Sequence, residues 1–449
     1  MTIKIAIIGA GSAVFSLNII RDICLTPNLQ GSTVTFMDVN PQRLDSAYAL
    51  CQRYAAEVGM ALDLHKTADR RASLQGADFV VNAALVAGYG RLRDGWAVGR
   101  QFGYRYGGSL HFMHDEAFWI NFYQLRLFES VIQDVLEICP HAWYVQVANP
   151  VFAGITHLAR KYPQARIVGL CHGFGGVYHL AHVLGLDPEH ITFEIPGVNH
   201  FVWLTRLYHQ GEDALPLLDR WIETEAAAYW QTCGMGDDVG PKAVDLYRRF
   251  GAFPIGDTCT VGGGSWGWWY HTDAETEARW KEDPTPWWDW YFKGGEQGVA
   301  EIQHIAGDPS VPVTERFPPK KSGELIVPVI ESIACDVPRV LTCNVLNRGE
   351  LVPGVPADLA VEVPALVSAR GIQGIQTHPL PPLVLAYLWR DRLVPVSLEL
   401  AAYERGDRRL LVELLMTDPW TRSEEQARAV LDGILALPYH QEMREHYRG

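Results

Sequence analysis

Apolar and polar positions in the first 170 residues predict strands that alternate with helices. An apolar run over residues 3–8 ends at Gly9, and apolar residues then recur at helical spacing over residues 14–23. A second amphipathic helix is predicted over residues 41–58. Such alternation is typical of a parallel sheet with helices on both faces. The further predicted strands cover residues 33–38, 78–82, 142–147 and 166–170.

After His200 the regular alternation of predicted strands and helices ends. We find no internal repeat and no low-complexity linker, so we expect the second half to pack tightly on the first. We predict an α/β fold with two domains. Residues 1–195 form a Rossmann-like doubly wound sheet that binds NAD, and residues 196–449 form an α+β domain that binds substrate and metal and makes the contacts between subunits. The patterns in the second half are helical over residues 215–229, 382–415 and 423–437 and strand-like over residues 325–330 and 339–345.

An aromatic tract covers residues 266–292. Tryptophan faces can stack on a sugar ring, but so dense a tract is more typical of a core or a subunit interface. We expect a homo-oligomer, either a dimer or a tetramer. The tryptophans of the tract are Trp266, Trp268, Trp269, Trp280, Trp287, Trp288 and Trp290.

Composition excludes some classes of function. The 449-residue chain has a formal net charge of −14, which argues against a nucleic-acid or anionic membrane partner. No apolar stretch is long enough to span a bilayer, and the first residues lack the pattern of a secretory signal. The 8 cysteines are scattered without paired spacing, as is typical of reduced thiols. We therefore expect a cytoplasmic protein that acts on small molecules.

A glycine-rich turn after the first predicted strand has the context of a dinucleotide-binding loop. Glycines let the backbone approach a pyrophosphate, and the helix amino terminus stabilises its charge. Val14 stands where the third glycine of the motif is usual, so the match is partial. An acid at the end of the second strand favours NAD over NADP. A flavodoxin-like turn without nucleotide is the alternative. The predicted cofactor-binding residues are Gly9, Gly11, Ser12, Asp38 and Asn82.

A loop rich in glycine and arginine is predicted over residues 86–114. It follows a strand, at the end of a sheet where ligands bind. Arg93 and Arg105 belong to it, and a guanidinium matches a carboxylate bidentately. The loop is a candidate for binding an anionic substrate, and a solvated loop is the alternative. Asp115 stands at the predicted start of the next helix, where capping is its ordinary role.

Cys171 and His200 supply one thiolate and one imidazole from separate segments. Together they can ligate a divalent metal, although either residue alone is more often part of a core. Asn149 and Cys171 both follow predicted strands. We therefore expect them on the same edge of the sheet, where a ligand binds.

Several motifs resemble those of the NAD- and divalent-metal-dependent family 4 glycoside hydrolases. They occur in the family's order and span most of the chain. This family is an exception to the glycosidases that use two carboxylates. The resemblance implies a lactate/malate dehydrogenase-like architecture, with NAD and Mn²⁺ as cofactors. The motifs are Gly9-Ala10-Gly11-Ser12, Asn149-Pro150, Cys171-His172-Gly173, Asn199-His200, Gly256-Asp257, Asn347-Arg348-Gly349 and Val361-Glu362-Val363-Pro364.

The resemblance also implies a mechanism. Members of such a family oxidise the sugar's C3 hydroxyl with NAD, and the resulting ketone acidifies the proton at C2. A base removes that proton, the glycosidic oxygen leaves, water adds and the ketone is reduced. The implied roles are metal ligation by Cys171 and His200, proton abstraction by Asp257, protonation of the leaving group by Asp115 or His172, and substrate binding by Asn149, Asn199, Arg93 and Arg105.

Two features bear on the substrate. Gly173-Phe174 resembles the branch of the family that acts on α-uronides, and the arginine-rich loop suits a uronate carboxylate. Thr258-Cys259 follow Asp257 where the α-glycosidase branch usually has arginine and histidine. We predict a glycosidase for α-linked glucuronides or galacturonides in small oligosaccharides. The alternatives are an α-glucosidase or α-galactosidase of the same family, a lactate/malate-type dehydrogenase and a non-catalytic NAD-binding sensor.

Overall fold

The computed structural model describes residues 2–86, 88–105, 116–261, 267–308 and 310–448. Its strands are β1 Lys4–Ile8, β2 Thr33–Met37, β3 Asp63–Thr67, β4 Phe79–Asn82, β5 Trp143–Gln146, β6 Arg166–Gly169, β7 Ile191–Glu194, β8 Gly197–Val198, β9 Phe201–Leu204, β10 Arg206–His209, β11 Glu212–Asp213, β12 Phe253–Ile255, β13 Arg339–Leu346, β14 Ala360–Ser368 and β15 Gly371–Gly374.

The α-helices of the described residues are α1 Ala13–Cys24, α2 Pro41–Val58, α3 Arg70–Leu74, α4 Gly88–Gln101, α5 Phe118–Ile138, α6 Val151–Lys161, α7 Gly175–Val183, α8 Leu215–Thr224, α9 Ala226–Tyr229, α10 Pro241–Phe250, α11 Ala274–Trp280, α12 Pro284–Gly307, α13 Val313–Arg316, α14 Ile326–Ala334, α15 Pro382–Leu388, α16 Val394–Arg405, α17 Arg408–Met416, α18 Glu424–Leu435 and α19 Gln441–His446. A π-helical turn, Trp389–Leu393, joins α15 to α16.

The amino-terminal half of the main sheet is parallel. Its strand order is β3-β2-β1-β4-β5-β6, which is the order of a doubly wound dinucleotide-binding fold. The order reverses between β1 and β4, so a crevice is expected at the carboxyl ends of these two strands. The predicted parallel sheet is confirmed. Gly9 and Asn82 lie at the ends of the two strands beside the crevice.

The same sheet continues into the second half of the chain. β13 runs antiparallel to β6 through Asn344 and Gly169, and β14 meets β8 through Glu362 and Gly197. β9 and β12 complete this side of the sheet. These pairings bring the turns beside β9 and β12 close to the loop that follows β6.

Helix α2 shows how local signals set the bounds of an element. The side chain of Asn40 accepts a hydrogen bond from the N–H of Arg43 at 3.0 Å, which caps the first turn. Pro41 occupies the first helical position, and Gly59 ends the helix with φ 77°. Proline at the start and glycine after the end are the usual asymmetry of helices. The predicted helix over residues 41–58 is confirmed.

Successive residues of β1 belong to two different cores. Ile5 and Ile7 pack with residues of α1, α2 and α14, whereas Ala6 and Ile8 pack with residues of α5 and α6. All four are at most 2% exposed. This alternation with both faces covered is expected for a strand inside a parallel sheet.

The aromatic tract divides between core and surface. Trp287 and Trp288 are buried, whereas Trp290 is 67% exposed. The Trp287 ring stacks on Tyr291 with 5.3 Å between centroids. All of these residues lie on α12.

No helix of the described residues is long and apolar enough to cross a bilayer.

Two predicted segments have a different structure. The strand predicted over residues 325–330 is wrong, because α14 covers this run. Ile326, Val327, Val329 and Ile330 are spaced i, i+1, i+3 and i+4, and all are buried on one helix face, so burial outweighs their β-branched preference for strands. The loop predicted over residues 86–114 is wrong in its described part, where residues 88–101 form the helix α4.

The glycines of α4 explain that error. A Cβ on Gly95 would overlap the indole of Trp119, so this glycine allows α4 to approach α5 closely. Glycine in a sequence favours a loop only where no such packing is required.

Candidate active site

The glycine turn after β1 closes tightly on its neighbours. Gly9 has φ 83°, and a Cβ at this position would lie 2.5 Å from the Cα of Ala84. The N–H groups of Gly9 and Ala10 both donate to the carbonyl of Met37, at 2.9 and 3.0 Å. Only glycine combines this positive φ with so close an approach. The turn is therefore held at the carboxyl edge of the sheet.

The next residues present polar groups at the amino terminus of α1. The N–H of Gly11 donates to Asp38 Oδ2 at 2.8 Å, and the N–H of Asn40 donates to Oδ1 of the same carboxylate at 2.8 Å. A Cβ on Gly11 would lie 2.7 Å from Asp38 Oδ2. Ser12 is exposed, and its side chain makes no capping hydrogen bond. A glycine cradle, a helix amino terminus and an acid after β2 fit a dinucleotide.

Asn82 and Asn149 hold the backbone of this edge. Asn82 is fully buried, and its amide donates to the hydroxyl of Tyr144 at 2.7 Å and accepts from the N–H of Ala84 at 3.2 Å. The carbonyl of Asn149 accepts from Gln124 Nε2 at 2.8 Å, and the peptide bond to Pro150 is cis. The side chain of Asn82 is thus engaged within the fold, beneath the loop that follows β4.

His200 lies at the centre of the candidate site. It occupies the turn between β8 and β9 with φ 63° and is 5% exposed. Its Nδ1 lies 3.2 Å from Glu116 Oε2, and its Nε2 lies 3.3 Å from Asp257 Oδ2. The Cys171 thiol forms a hydrogen bond with the same imidazole. The structure therefore brings together the three predicted residues Cys171, His200 and Asp257, which are far apart in sequence.

Electrostatics distinguish the two carboxylates beside His200. Burial alone would lower the pKa of His200, but the charges of Glu116 and Asp257 raise it well above its usual value. Burial likewise opposes ionisation of Glu116, yet His200 and Arg392 lower its pKa to about 2. Glu116 is therefore an ionised carboxylate within the core, whereas the side chain of Asp257 is 25% exposed and accessible to a substrate.

The Cys171 loop and the Asp257 turn are in direct contact. Gly256 has φ 57°, and a Cβ on it would lie 2.8 Å from the carbonyl oxygen of Gly173. Thr258, which follows Asp257, donates through Oγ1 to the carbonyl of Val202 at 3.0 Å and accepts from the N–H of Val202 at 2.9 Å. These contacts fix Asp257 relative to both the Cys171 loop and strand β9.

His172 and Phe174 point to different environments. His172 has a side chain that is 52% exposed, with Nδ1 3.8 Å from Glu324 Oε2. Phe174 is 5% exposed and packs in a core cluster with Val177 and Ile255. The ring of Phe174 still lies 5.3 Å from that of His172, centroid to centroid. Phe174 thus supports His172 from within the core.

Asn199 belongs to a buried polar cluster under the site. The amides of Asn199 and Asn344 both donate to Glu362 Oε2, at 3.1 and 3.0 Å. All three side chains are at most 1% exposed. Burial raises the pKa of Glu362, although both amides oppose the shift. Asn199 is therefore anchored where β14 meets β8, one residue before His200.

The two predicted arginines are engaged by other side chains. Arg93 lies on α4 with its guanidinium 4.7 Å from the ring centroid of Phe292. Arg105 forms an ion pair with Glu277, whose side chain is 5% exposed. The assignment of either arginine to a substrate carboxylate stays a prediction. Asp115 lies outside the described residues.

The donor set suits a metal that keeps open positions. Within the described ranges, no group of three or more histidine, cysteine or acidic side chains is placed to hold a metal. Cys171 and His200 could supply two protein ligands, which would leave coordination positions for substrate oxygens and water; catalytic metal sites keep such a position open. A thiolate and an imidazole accept Zn²⁺ as well as Mn²⁺, so the ligand types alone do not select the metal.

Four site residues were not predicted from the sequence. Glu116 and Arg392 contact each other beside His200, Glu362 anchors Asn199 and Glu324 faces His172. Each is an ordinary charged residue in its local sequence, without a spacing that indicates chemistry. Only Glu362 had a signal, since it lies within the late motif Val361-Glu362-Val363-Pro364.

Comparison with known proteins gives a consistent set of matches. Residues 4–186 match the model of the family 4 glycosyl hydrolases, and residues 195–421 match that of the family 4 glycosyl hydrolase C-terminal domain. An α-glucosidase of Erwinia rhapontici is 26% identical over 462 residues, covering 93% of this chain and 94% of its own. An α-galacturonidase of Thermoanaerobacter italicus is 22% identical over 434 residues, covering 94% of this chain and 92% of its own.

Solved structures share the fold. A 6-phospho-α-glucosidase from gut microorganisms, crystallised with NAD and Mn²⁺, superposes with a TM-score of 0.79 at 17% identity, covering 97% of this chain and 98% of its own. A lactate dehydrogenase of Cryptosporidium parvum superposes with a TM-score of 0.53 at 14% identity, covering 90% of this chain and 98% of its own. The predicted dehydrogenase-like architecture is confirmed.

Proposed function

Since the chain belongs to the family 4 glycosyl hydrolases, we propose that it cleaves α-linked uronides by a redox-assisted elimination that depends on NAD and a divalent metal. The observation that carries this proposal is the position of His200, which contacts both Cys171 and Asp257 at the edge of a dinucleotide-type sheet. A simple hydroxy-acid dehydrogenase has no need for a cysteine–histidine metal pair.

The residues of the glycine turn would hold NAD. The cradle at Gly9 and Gly11 would admit the pyrophosphate, the exposed Ser12 lies at the start of α1, and Asp38 would accept a hydrogen bond from the adenosine ribose. Cys171 and His200 would hold Mn²⁺. When bound, NAD supplies hydride transfer at the sugar's C3, and Mn²⁺ supplies a Lewis acid for the oxygens at C2 and C3.

Asp257 is the proposed base for the proton at C2. Its carboxylate is partly exposed, and its position is set by the contact between Gly256 and Gly173. His172 or Asp115 would protonate the leaving oxygen. His172 is the candidate among the described residues, because its side chain is 52% exposed and so accessible to a substrate. Oε2 of Glu324 lies 3.8 Å from its Nδ1. General acid and base catalysis each contribute roughly 10²–10⁴-fold.

Two features support a uronide as the substrate. The sequence after Cys171-His172 resembles the α-uronide branch, and a relative named α-galacturonidase aligns over nearly the whole chain. Asn149 and Asn199 are proposed to contact the sugar, and Arg93 or Arg105 to bind its carboxylate. A neutral α-glucoside is the second candidate, because the α-glucosidase relative has the higher identity.

A panel of aryl α-glycosides tests the substrate. Purified protein with NAD⁺, Mn²⁺ and a thiol reductant is assayed on the α-glucuronide, α-galacturonide, α-glucoside and α-galactoside. We expect the highest kcat/KM on one of the two uronides. Equal or higher turnover of a neutral glycoside would reject the uronide proposal while leaving the glycosidase in place.

Metal dependence is tested on the best substrate of the panel. Treatment with a chelator is expected to abolish hydrolysis, and added Mn²⁺ to restore it. Substitution Cys171→Ser should weaken the restoration by Mn²⁺, whereas Cys335→Ser, at a half-buried cysteine at the end of α14, is the matched control. Full activity in the presence of the chelator would reject the metal role.

A further inference from the structure

The π-helical turn Trp389–Leu393 places two successive charged residues inside the protein. Asp391 is 1% exposed and Arg392 is 6% exposed. The preceding residue of the turn, Arg390, has a side chain that is 42% exposed and lies over the ring of Tyr387 on the outside. Local π-helical turns occur frequently at functional sites. The turn thus directs Asp391 and Arg392 inward while Arg390 faces solvent.

Arg392 donates to two groups that adjoin His200. Its Nη2 lies 3.2 Å from Glu116 Oε2 and 3.0 Å from the carbonyl oxygen of Asn199. Oε2 of Glu116 is also the atom 3.2 Å from His200 Nδ1. One carboxylate oxygen is therefore shared between the guanidinium and the imidazole, and the guanidinium also holds the peptide group that leads into His200.

This arrangement constrains a residue that has an unusual backbone. His200 has φ 63°, a region that non-glycine residues adopt rarely and that must be held by surrounding contacts. The hydrogen bond from Arg392 to the Asn199 carbonyl supplies one such contact. When Nδ1 of an imidazole donates to a carboxylate, the lone pair of Nε2 remains available for a metal.

Arg392 also compensates charge in the surrounding core. A small cavity of about 20 Å³ adjoins the site, and its lining includes Glu116, Asp391 and Glu399 together with the guanidinium of Arg392. Of these carboxyl groups, Asp391 also has Arg390, whose Nε lies 3.5 Å from its Oδ1, whereas Glu116 contacts Arg392 itself. Neutral replacement of Arg392 leaves Glu116 next to His200 without its second donor.

We propose that Arg392 is a positioning residue, which acts through Glu116 and the Asn199 carbonyl to fix the ring orientation and tautomer of His200 for metal binding. The proposal rests on the proposed function, because it assumes that His200 ligates the metal. Removal of such an outer partner typically weakens metal affinity by about 10- to 100-fold.

The test is metal affinity in protein without substrate. Free Mn²⁺ is measured by electron paramagnetic resonance during titration of wild type, Arg392→Met, Arg392→Gln, Arg392→Lys and the matched control Arg390→Met from the same turn. We expect Arg392→Met and Arg392→Gln to weaken Mn²⁺ binding by about 10- to 100-fold, Arg392→Lys to weaken it less, and Arg390→Met to leave it unchanged. NAD⁺ binding, followed by fluorescence, should be unchanged in all four variants.

The outcomes separate this proposal from the function on which it rests. Wild-type Mn²⁺ affinity in a folded Arg392→Met protein overturns the positioning role alone. If Arg392→Met does not fold, Arg392→Gln decides, because its amide is neutral and too short to reach both Glu116 and the Asn199 carbonyl, and wild-type affinity in it overturns the role. A wild-type protein that does not bind Mn²⁺ overturns the metal assignment as well.

Discussion

The contact between Gly256 and Gly173 gives a prediction with a built-in control. Substitution Gly256→Ala adds a Cβ 2.8 Å from the carbonyl oxygen and 3.0 Å from the Cα of Gly173, at a residue with φ 57°. The left-handed backbone alone costs about 1–2 kcal/mol for alanine, and overpacking against the backbone adds about 1–3 kcal/mol. Neither backbone segment can relieve the contact unless the two segments move apart.

Such a movement changes the active site directly. Gly256 precedes Asp257, and Gly173 follows Cys171-His172, so separation displaces the proposed base from the proposed metal ligand. A displacement of about 1 Å is sufficient to lower activity by about 10²-fold. We therefore expect Gly256→Ala to lower kcat/KM by about 10²-fold on the best aryl α-glycoside, measured with saturating NAD⁺ and Mn²⁺.

Gly251→Ala is the matched control. Gly251 ends α10 with φ 75°, and a Cβ there has no described atom within 4 Å. It carries the same backbone penalty, about 1–2 kcal/mol by urea unfolding, without the contact. Its kcat/KM should equal that of wild type. Wild-type kcat/KM in Gly256→Ala, or an equal loss in both variants, would refute the reasoning.

Three further predictions concern burial, pH and cofactor choice. Lys242 Nζ lies 2.6 Å from Glu282 Oε2 with both side chains buried, so Lys242→Met should lower the free energy of unfolding by about 3–5 kcal/mol. Adding Glu282→Leu to Lys242→Met should recover much of this loss, and a double variant that shows no recovery in urea denaturation would contradict the prediction. Burial raises the pKa of Glu399 from 4.5 to about 8, so over this pH range the folded state binds a proton that the unfolded state has lost. Wild type should therefore lose stability relative to Glu399→Gln as pH rises from 4.5 to about 8. The same difference in unfolding free energy between the two proteins at both ends of this range, measured with urea, would reject the prediction. Asp38→Asn removes the charge that disfavours a 2′-phosphate, so fluorescence titration should show NADP⁺ affinity approaching that for NAD⁺, and an unchanged ratio would argue against ribose recognition by Asp38.

The sequence predicts best those features that local patterns control. Helix α2 has its cap, its proline and its terminal glycine within or next to the element, and β1 is apolar and buried from Ile5 to Ile8. The glycine turn and Asp38 follow from the same strand pattern. These signals act over fewer than thirty residues, so the parallel half of the sheet could be predicted without tertiary information.

The missed features depend on contacts between distant segments. Arg392 lies 193 positions after Asn199 and 276 after Glu116, and nothing in its neighbourhood distinguishes it from the exposed Arg390. The run around Ile326 was predicted as a strand because its apolar residues suit either a buried strand or a buried helix. In both cases the deciding interaction is burial against another part of the chain.

Isotope exchange tests the central claim most directly. The best aryl α-glycoside is hydrolysed in D₂O with NAD⁺ and Mn²⁺, and the released sugar is examined by NMR. Proton abstraction by Asp257 predicts one deuterium at C2 in the product, and Asp257→Asn should abolish both exchange and hydrolysis. Hydrolysis by wild type with no deuterium at C2 would contradict the redox-assisted elimination, whatever the substrate is.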